Sequence, residues 1–200
     1  GGKAFRVEAY DTNQDRIPVP NDLLNYTNDG VGMARGVEFM ARQAPTSRLF
    51  GWLAYSYSQS KRRNGEGRNW YPYEYDQRHI GTLVMSYKLN RKWETGFKFR
   101  FTTGAPETPI VGAVYDSVHN YWVPISGAVN SERKDAYHRL DLSVSRTSNH
   151  DTWQLRWYLE IMNFYNSKNV TGYDYSADYT SRKEIKQLPF LPYAGVEVRF

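Results

Sequence analysis

Apolar and polar residues alternate one by one over long stretches of this chain. In WETGFKFRFTTG (93 to 104), Trp93, Phe97, Phe99 and Phe101 share one parity with Thr95, while Glu94, Gly96, Lys98 and Arg100 share the other. A period of two places the two sets on opposite faces of an extended strand. Alternation bounded by Gly, Pro, Asn and Asp predicts about eight strands, near residues 2 to 10, 33 to 43, 48 to 59, 75 to 88, 92 to 102, 137 to 146, 152 to 165 and 191 to 200. Within 75 to 88, His79, Gly81, Leu83, Met85 and Tyr87 stand against Asp76, Arg78, Thr82, Ser86 and Lys88, with Ile80 and Val84 blurring the polar row. Leu140, Leu142 and Val144 oppose Arg139, Asp141, Ser143 and Ser145. Trp153, Leu155, Trp157, Leu159 and Ile161 oppose Gln154, Arg156, Tyr158 and Glu160. Ala194, Val196, Val198 and Phe200 oppose Tyr193, Gly195, Glu197 and Arg199. No segment carries the period of a long amphipathic helix. The expected fold class is all-β, an antiparallel meander of about eight long strands.

The connections alternate in length. Gln43 to Arg48, Leu89 to Lys92 and Thr147 to Asp151 are tight, whereas Asp11 to Gly32, Ser60 to Glu74, Thr103 to Ala136 and Asn166 to Phe190 are long. In a meander all the long ones fall at one end of the sheet. Loops beyond about 12 to 15 residues are uncommon in compact soluble domains, but short turns at one end and long loops at the other are the rule in outer-membrane barrels. About 10 residues tilted near 45° also cross an apolar band roughly 25 Å tall. On this reading Phe97, Phe99 and Phe101 face lipid, and Lys98 and Arg100 face a watery interior where a charge needs no fixed partner. Trp93, Tyr55, Tyr57, Tyr87 and Trp153 suit interfacial girdles.

Composition and charge change the picture further. A mean hydropathy of -0.73 with 40% hydrophobic residues is poor material for a thick core, and 16% aromatic content suits strands and membrane interfaces. The absence of Cys excludes disulfide staples and thiolate metal sites. No window approaches 18 consecutive apolar residues, which excludes a transmembrane helix and leaves a barrel untouched. The net charge of +5 is spread along the chain, and its clusters Lys61-Arg62-Arg63 and Arg182-Lys183 adjoin turn residues, so nucleic acid is not an expected partner. The opening Gly1-Gly2-Lys3-Ala4-Phe5-Arg6-Val7 has no leader and alternates at once, as a fragment or processed product starting within a strand would.

Several stretches, in order, resemble the C-terminal part of a TonB-dependent outer-membrane receptor barrel, over nearly the whole length. They are GMARGVEFMARQ (32 to 43), LFGWLAYSYSQSKRR (49 to 63), YEYDQRHIGTLVMSYKLNRKWETGFKFRFTTGAPETPI (73 to 110), YHRLDLSVSR (137 to 146), WYLEIMNFYNSKNV (157 to 170) and PYAGVEVRF (192 to 200). The resemblance implies that residues 1–200 are the C-terminal portion of a larger, 22-stranded transmembrane barrel in the bacterial outer membrane. A plug domain and an energy-coupling segment would precede it. It also implies active import of a scarce nutrient, of siderophore, cobalamin or oligosaccharide type, driven through TonB. The partners implied are outer-membrane lipid, the protein's own N-terminal plug, the TonB complex, the barrel-assembly machinery and the cargo. Phe200 would serve as part of the assembly signal. Arg78, Lys98, Arg100, Arg139, Asp141, Arg156, Glu160, Glu197 and Arg199 would face the plug or line the conduit.

Other chemistry is sparse. His79, His119, His138 and His150 are dispersed, and no two sit at metal-ligand spacing. YDYSADY (173 to 179) gathers Asp174 and Asp178 without the periodicity of a calcium loop. No phosphate loop, dinucleotide turn or Gly-x-Ser-x-Gly is present. Nothing in the sequence pairs Ser143 or Ser145 with His138, and the Asn-x-Thr triplets at Asn25 and Asn169 read as chance. The chain is not expected to be an enzyme or to hold a cofactor. Two alternatives remain open: a complete small outer-membrane barrel acting as an adhesin or structural protein, and a soluble carbohydrate-binding sandwich with Trp70, Tyr71, Tyr73 and Trp122 as stacking platforms.

Overall fold

The computed structural model describes residues 30–46 and 48–200. The strand expected at 2 to 10, most of the loop after it and the Asn25 triplet lie outside them. The described residues are all-β, without a helix. Fourteen strands form in chain order: β1 Val31–Gln43, β2 Leu49–Arg63, β3 Tyr71–Pro72, β4 His79–Lys88, β5 Trp93–Thr102, β6 Pro106–Glu107, β7 Ile110–Asp116, β8 Tyr121–Ser126, β9 Glu132–Arg133, β10 Tyr137–Asn149, β11 Gln154–Met162, β12 Val170–Tyr175, β13 Arg182–Lys186 and β14 Leu191–Arg199. The main sheet runs β1-β2-β4-β5-β10-β11-β14, antiparallel throughout, with the short β3 added to β2. No closed barrel forms among the described residues: β1 and β14 are the outer strands.

The register converts single-strand alternation into two continuous faces. Directly paired residues of antiparallel strands share a face, so Ala41, Leu53, Leu83, Phe99 and Leu140 make one row across five strands. Gly51, Met85, Phe97, Leu142 and Ile161 make the next. The opposite face carries Ser86, Gly96, Ser143, Glu160 and Tyr193 in one row and Thr82, Arg100 and Arg139 in another. Gly51 is required where it stands, because a Cβ there would meet the Val84 carbonyl at 2.8 Å.

Among the described residues no second layer packs on this sheet, and the strands contact chiefly their hydrogen-bonded neighbours. The burial order of a soluble domain is correspondingly inverted. Among the described residues no hydrophobic side chain is buried, and the buried polar ones are Asp76, Thr102, Ser145, Asn163 and Asn169. Phe39, Leu53, Tyr55, Tyr57, Tyr87, Phe99, Leu159, Val196 and Val198, all on the apolar face, are exposed. A sandwich would bury this face under a second sheet, and no such sheet is present among the described residues.

The long connections differ from the open loops expected. Thr103 to Ala136 folds into two antiparallel ribbons, β6-β9 and β7-β8, and Asn166 to Phe190 contains the ribbon β12-β13. The stretch after Ser60 begins as strand, since β2 continues to Arg63 against β1. At the other side of that loop, the strand expected from residue 75 starts only at His79. Asp76 N–H donates to the Tyr73 carbonyl at 2.8 Å and Gln77 N–H to the Tyr75 carbonyl at 2.8 Å, so a turn occupies 73 to 77.

Candidate functional site

The polar face of the sheet gathers most of the charged residues singled out by alternation. Lys98 pairs in register with Asp141, Arg100 with Arg139, Arg156 with Glu197, Glu160 with Tyr193 and Arg199 with Gln154. Arg139 donates from Nη2 to Asp141 Oδ2 at 2.8 Å and from Nε to the same oxygen at 3.1 Å. The other oxygen of Asp141 accepts the Asn163 amide at 3.0 Å. The Tyr193 hydroxyl donates to Glu160, Arg156 lies 3.7 Å from Glu197, and Arg199 donates to Glu197 at 2.6 Å. Arg100 faces the Tyr137 ring at 5.9 Å. Eight of the nine residues therefore lie on this one face.

Arg78 is the exception. It precedes β4, in the turn segment, and its Nε lies 3.5 Å from Asp76 Oδ2. Phe200 follows the last residue of β14 and is fully exposed.

Two of the hollows on the polar face adjoin Arg139. One of about 420 Å³ is lined by Glu94, Lys98, Arg139, Asp141, Glu160 and Tyr193 among others. The second, about 440 Å³, lies toward the long connections and is lined by Gln77, Arg100, Lys134, Asp135, Tyr137 and Arg139 among others. Arg139 belongs to both. Such a surface offers donors, acceptors and both signs of charge, suited to a polar ligand or a protein partner.

The long-connection end is fixed by buried polar anchors. Asp76, 1% exposed, accepts the Ser60 amide at 2.5 Å and an Nη2–H bond from Arg133. Arg133 Nη1 donates to the Asp76 carbonyl at 2.6 Å and the Gly104 carbonyl at 3.0 Å. Arg133 thus ties the β9 ribbon to the turn before β4, across 57 positions of sequence. Burial acts to raise the Asp76 pKa, but the Ser60 amide, Arg133 and Arg78 together outweigh it and hold the carboxyl below its ordinary range.

A second anchor is Asn163, 1% exposed and in the left-handed region at φ 52°. Its amide nitrogen donates to the Ser167 and Leu188 carbonyls at 2.9 and 3.1 Å, and its oxygen accepts the Ser167 amide at 2.8 Å. Asn169 continues the pairing of β10, donating to the His138 carbonyl at 2.9 Å and accepting the His138 amide at 3.0 Å. Asn169 is buried, with both ends of its amide engaged, so its Asn-x-Thr triplet has a structural use. These anchors escape a sequence reading because each looks like an ordinary loop Asp, Arg or Asn.

The other candidates resolve by geometry. His138 has the parity of Leu140 and lies on the apolar face, while Ser143 and Ser145 lie on the polar one, so the sheet separates them. His138 Nδ1 is instead 2.8 Å from the Tyr165 hydroxyl. Asp178 accepts from the Ser176 and Thr180 hydroxyls and the Thr180 amide, closing its own turn. No group of three or more His, Asp or Glu placed to hold a metal occurs among the described residues. Of the aromatic platforms, Tyr73 is covered by the Arg62 guanidinium at 3.6 Å, Trp70 lies 5.1 Å from that of Arg63, and the Tyr71 hydroxyl donates to Asn64 at 2.6 Å.

No protein-family model, curated protein or solved structure matches the chain.

Proposed function

We propose that this chain is a wall segment of an outer-membrane β-barrel, of the TonB-dependent receptor type, whose complete form binds a scarce nutrient and imports it with energy delivered through TonB. The observation that carries the reading is the unburied apolar face running across the main sheet, with no covering layer among the described residues. In water such a face would be an aggregation surface. In a bilayer it is the required one, and the charged face then looks into an aqueous interior. The alternation of tight turns and ribbon-bearing connections supports the same orientation, with the ribbons outside the cell. The motifs quoted above supply the receptor family.

Among the described residues both outer strands have a free edge, and open edges do not persist in hydrocarbon. The reading therefore includes further strands that pair with β1 and β14. The polar hollows around Arg139 would meet the plug or the passing cargo, and the chemistry is recognition and gated passage without a covalent step. The covering of Tyr73 by Arg62 leaves that ring a poor platform for sugar stacking and weighs against the lectin-like alternative.

The test is fractionation of the source cells, probed with an antibody against 115 to 130. An outer-membrane band several times heavier than 23.4 kDa, together with loss of nutrient uptake on deletion, supports the receptor. A membrane band near 23.4 kDa leaves a small barrel. A soluble band overturns the membrane reading.

A further inference from the structure

Arg35, Lys61 and Arg63 share the apolar face toward the long connections, and Arg146 places a charge on it at the tight-turn end. Arg146 stands in a row between Trp93 on β5 and Trp157 on β11, with Val196 continuing the row on β14. The two indoles meet edge to face, 5.1 Å between centroids, and the Arg146 guanidinium lies 5.8 Å from the Trp93 ring. Its Nε is buried without a hydrogen-bond acceptor, and no carboxylate forms an ion pair with Arg146 among the described residues. An arginine so placed is a cost in a folded protein unless something anionic reaches it. Its position in the fold indicates what does: the row lies beside the tight turns, at the end where Trp153 stacks on His150 at 3.9 Å.

We propose that Arg146, clasped by Trp93 and Trp157, is a binding site for the phosphate of an anionic phospholipid headgroup at the short-turn rim of the sheet. The proposal rests on the membrane reading above. Tryptophan settles at headgroup depth, and a guanidinium on the lipid side is tolerated near the interface but not at mid-bilayer. The planar fork matches a phosphate with two parallel hydrogen bonds, which an ammonium cannot do. The rim is basic as well: Arg48, Lys88, Arg91 and Lys92 line a hollow of about 820 Å³ on its other side, with Glu94 as a single carboxylate. That excess attracts an anionic leaflet toward the site.

The experiment is native mass spectrometry of the protein at its natural length, purified in detergent and titrated with phosphatidylglycerol, phosphatidylcholine or inorganic phosphate. The expected result is one tightly retained phosphatidylglycerol, about tenfold preferred over phosphatidylcholine, with the preference lost in Arg146→Gln and no response to inorganic phosphate. Arg146→Lys, which keeps the charge and loses the fork, is expected to fall between the two and serves if Arg146→Gln does not fold. Equal retention of the two lipids, or a preference unchanged by both variants, overturns the site while leaving the membrane reading intact. Binding of inorganic phosphate at comparable strength makes it a soluble-anion site and overturns the lipid assignment. A protein that stays monodisperse without detergent and retains neither lipid overturns the membrane reading itself.

Discussion

Replacing Phe99 by arginine tests the facing assignment where it is most costly. Phe99 lies on β5, directly opposite Leu83 and Leu140, and is exposed on the apolar face. It stands six residues beyond Trp93, about 20 Å along the strand at ~3.3 Å per residue, or about 14 Å of depth at a tilt near 45°. With Trp93 at one interface, that is close to the middle of an apolar band about 25 Å tall. An arginine there is expected to cost about 2–4 kcal/mol, a factor of roughly 30 to 1,000 in the folding equilibrium. Tyr87→Arg, on the same face but at the turn end of β4, is expected to cost only about 0–1 kcal/mol, because the penalty falls away toward the interface. The assay is reversible denaturant unfolding in lipid vesicles, followed by tryptophan fluorescence. A soluble surface would tolerate both changes within about 0.5 kcal/mol. Costs at Phe99 and Tyr87 equal within about 0.5 kcal/mol, whether both small or both large, would refute the depth argument.

Other consequences follow from the polar face and its anchors. Arg100→Leu, on the opposite face from Phe99, is expected to leave membrane assembly intact, as heat-modifiable gel mobility would register; failed assembly would show that the fold depends on the Arg100 charge and would contradict a merely solvated position in a watery interior. The Asp76 carboxyl is held below its ordinary range, so its stabilisation is complete above its unfolded pKa of about 3.9 and is lost as pH falls through the lower folded value. Hydrogen exchange at the Ser60 amide, which donates to Asp76, should therefore be flat from neutral pH to about pH 5 and quicken only below about pH 4 beyond the intrinsic trend. Asp76→Asn should remove that step and weaken the local anchor by about 1.5–3 kcal/mol. Gly104→Ala would bring a Cβ to 1.6 Å from the Lys134 carbonyl oxygen, which backbone must move to relieve. A local cost of about 1–3 kcal/mol, seen as faster proteolysis between 103 and 136, is expected. Glu197→Gln should change global stability by less than about 1 kcal/mol, since Arg156 and Glu197 are both well exposed.

The sheet was legible because its information is local and periodic. The row Trp93, Phe97, Phe99, Phe101 against Lys98 and Arg100 needs only the pleat to be interpreted, and the register then carries each face into the neighbouring strands. The ribbons were not legible for the complementary reason. β7-β8 has no face to bury, so IVGAVYD and YWVPIS carry weak alternation, and Pro124 within β8 reads as a break. The start of β4 moved because Asp76 is a buried acceptor for the Ser60 amide, a use that no parity count reveals. Its partner Arg133 and the amides of Asn163 and Asn169 act across long sequence separations, where pattern has no reach.

The central claim, that the apolar face meets lipid and the charged face water, is tested most directly by labelling successive positions of β5. Residues 1–200 contain no cysteine, so single cysteines at 97, 98, 99, 100 and 101 can each carry one nitroxide with no competing label site in this segment. With the protein in its membrane, collision with oxygen reports lipid and collision with a water-soluble nickel chelate reports water. The account predicts oxygen accessibility at 97, 99 and 101 and nickel accessibility at 98 and 100, out of phase with period two. Nickel accessibility at all five positions, or 97, 99 and 101 shielded from both reagents as in a packed core, would contradict it.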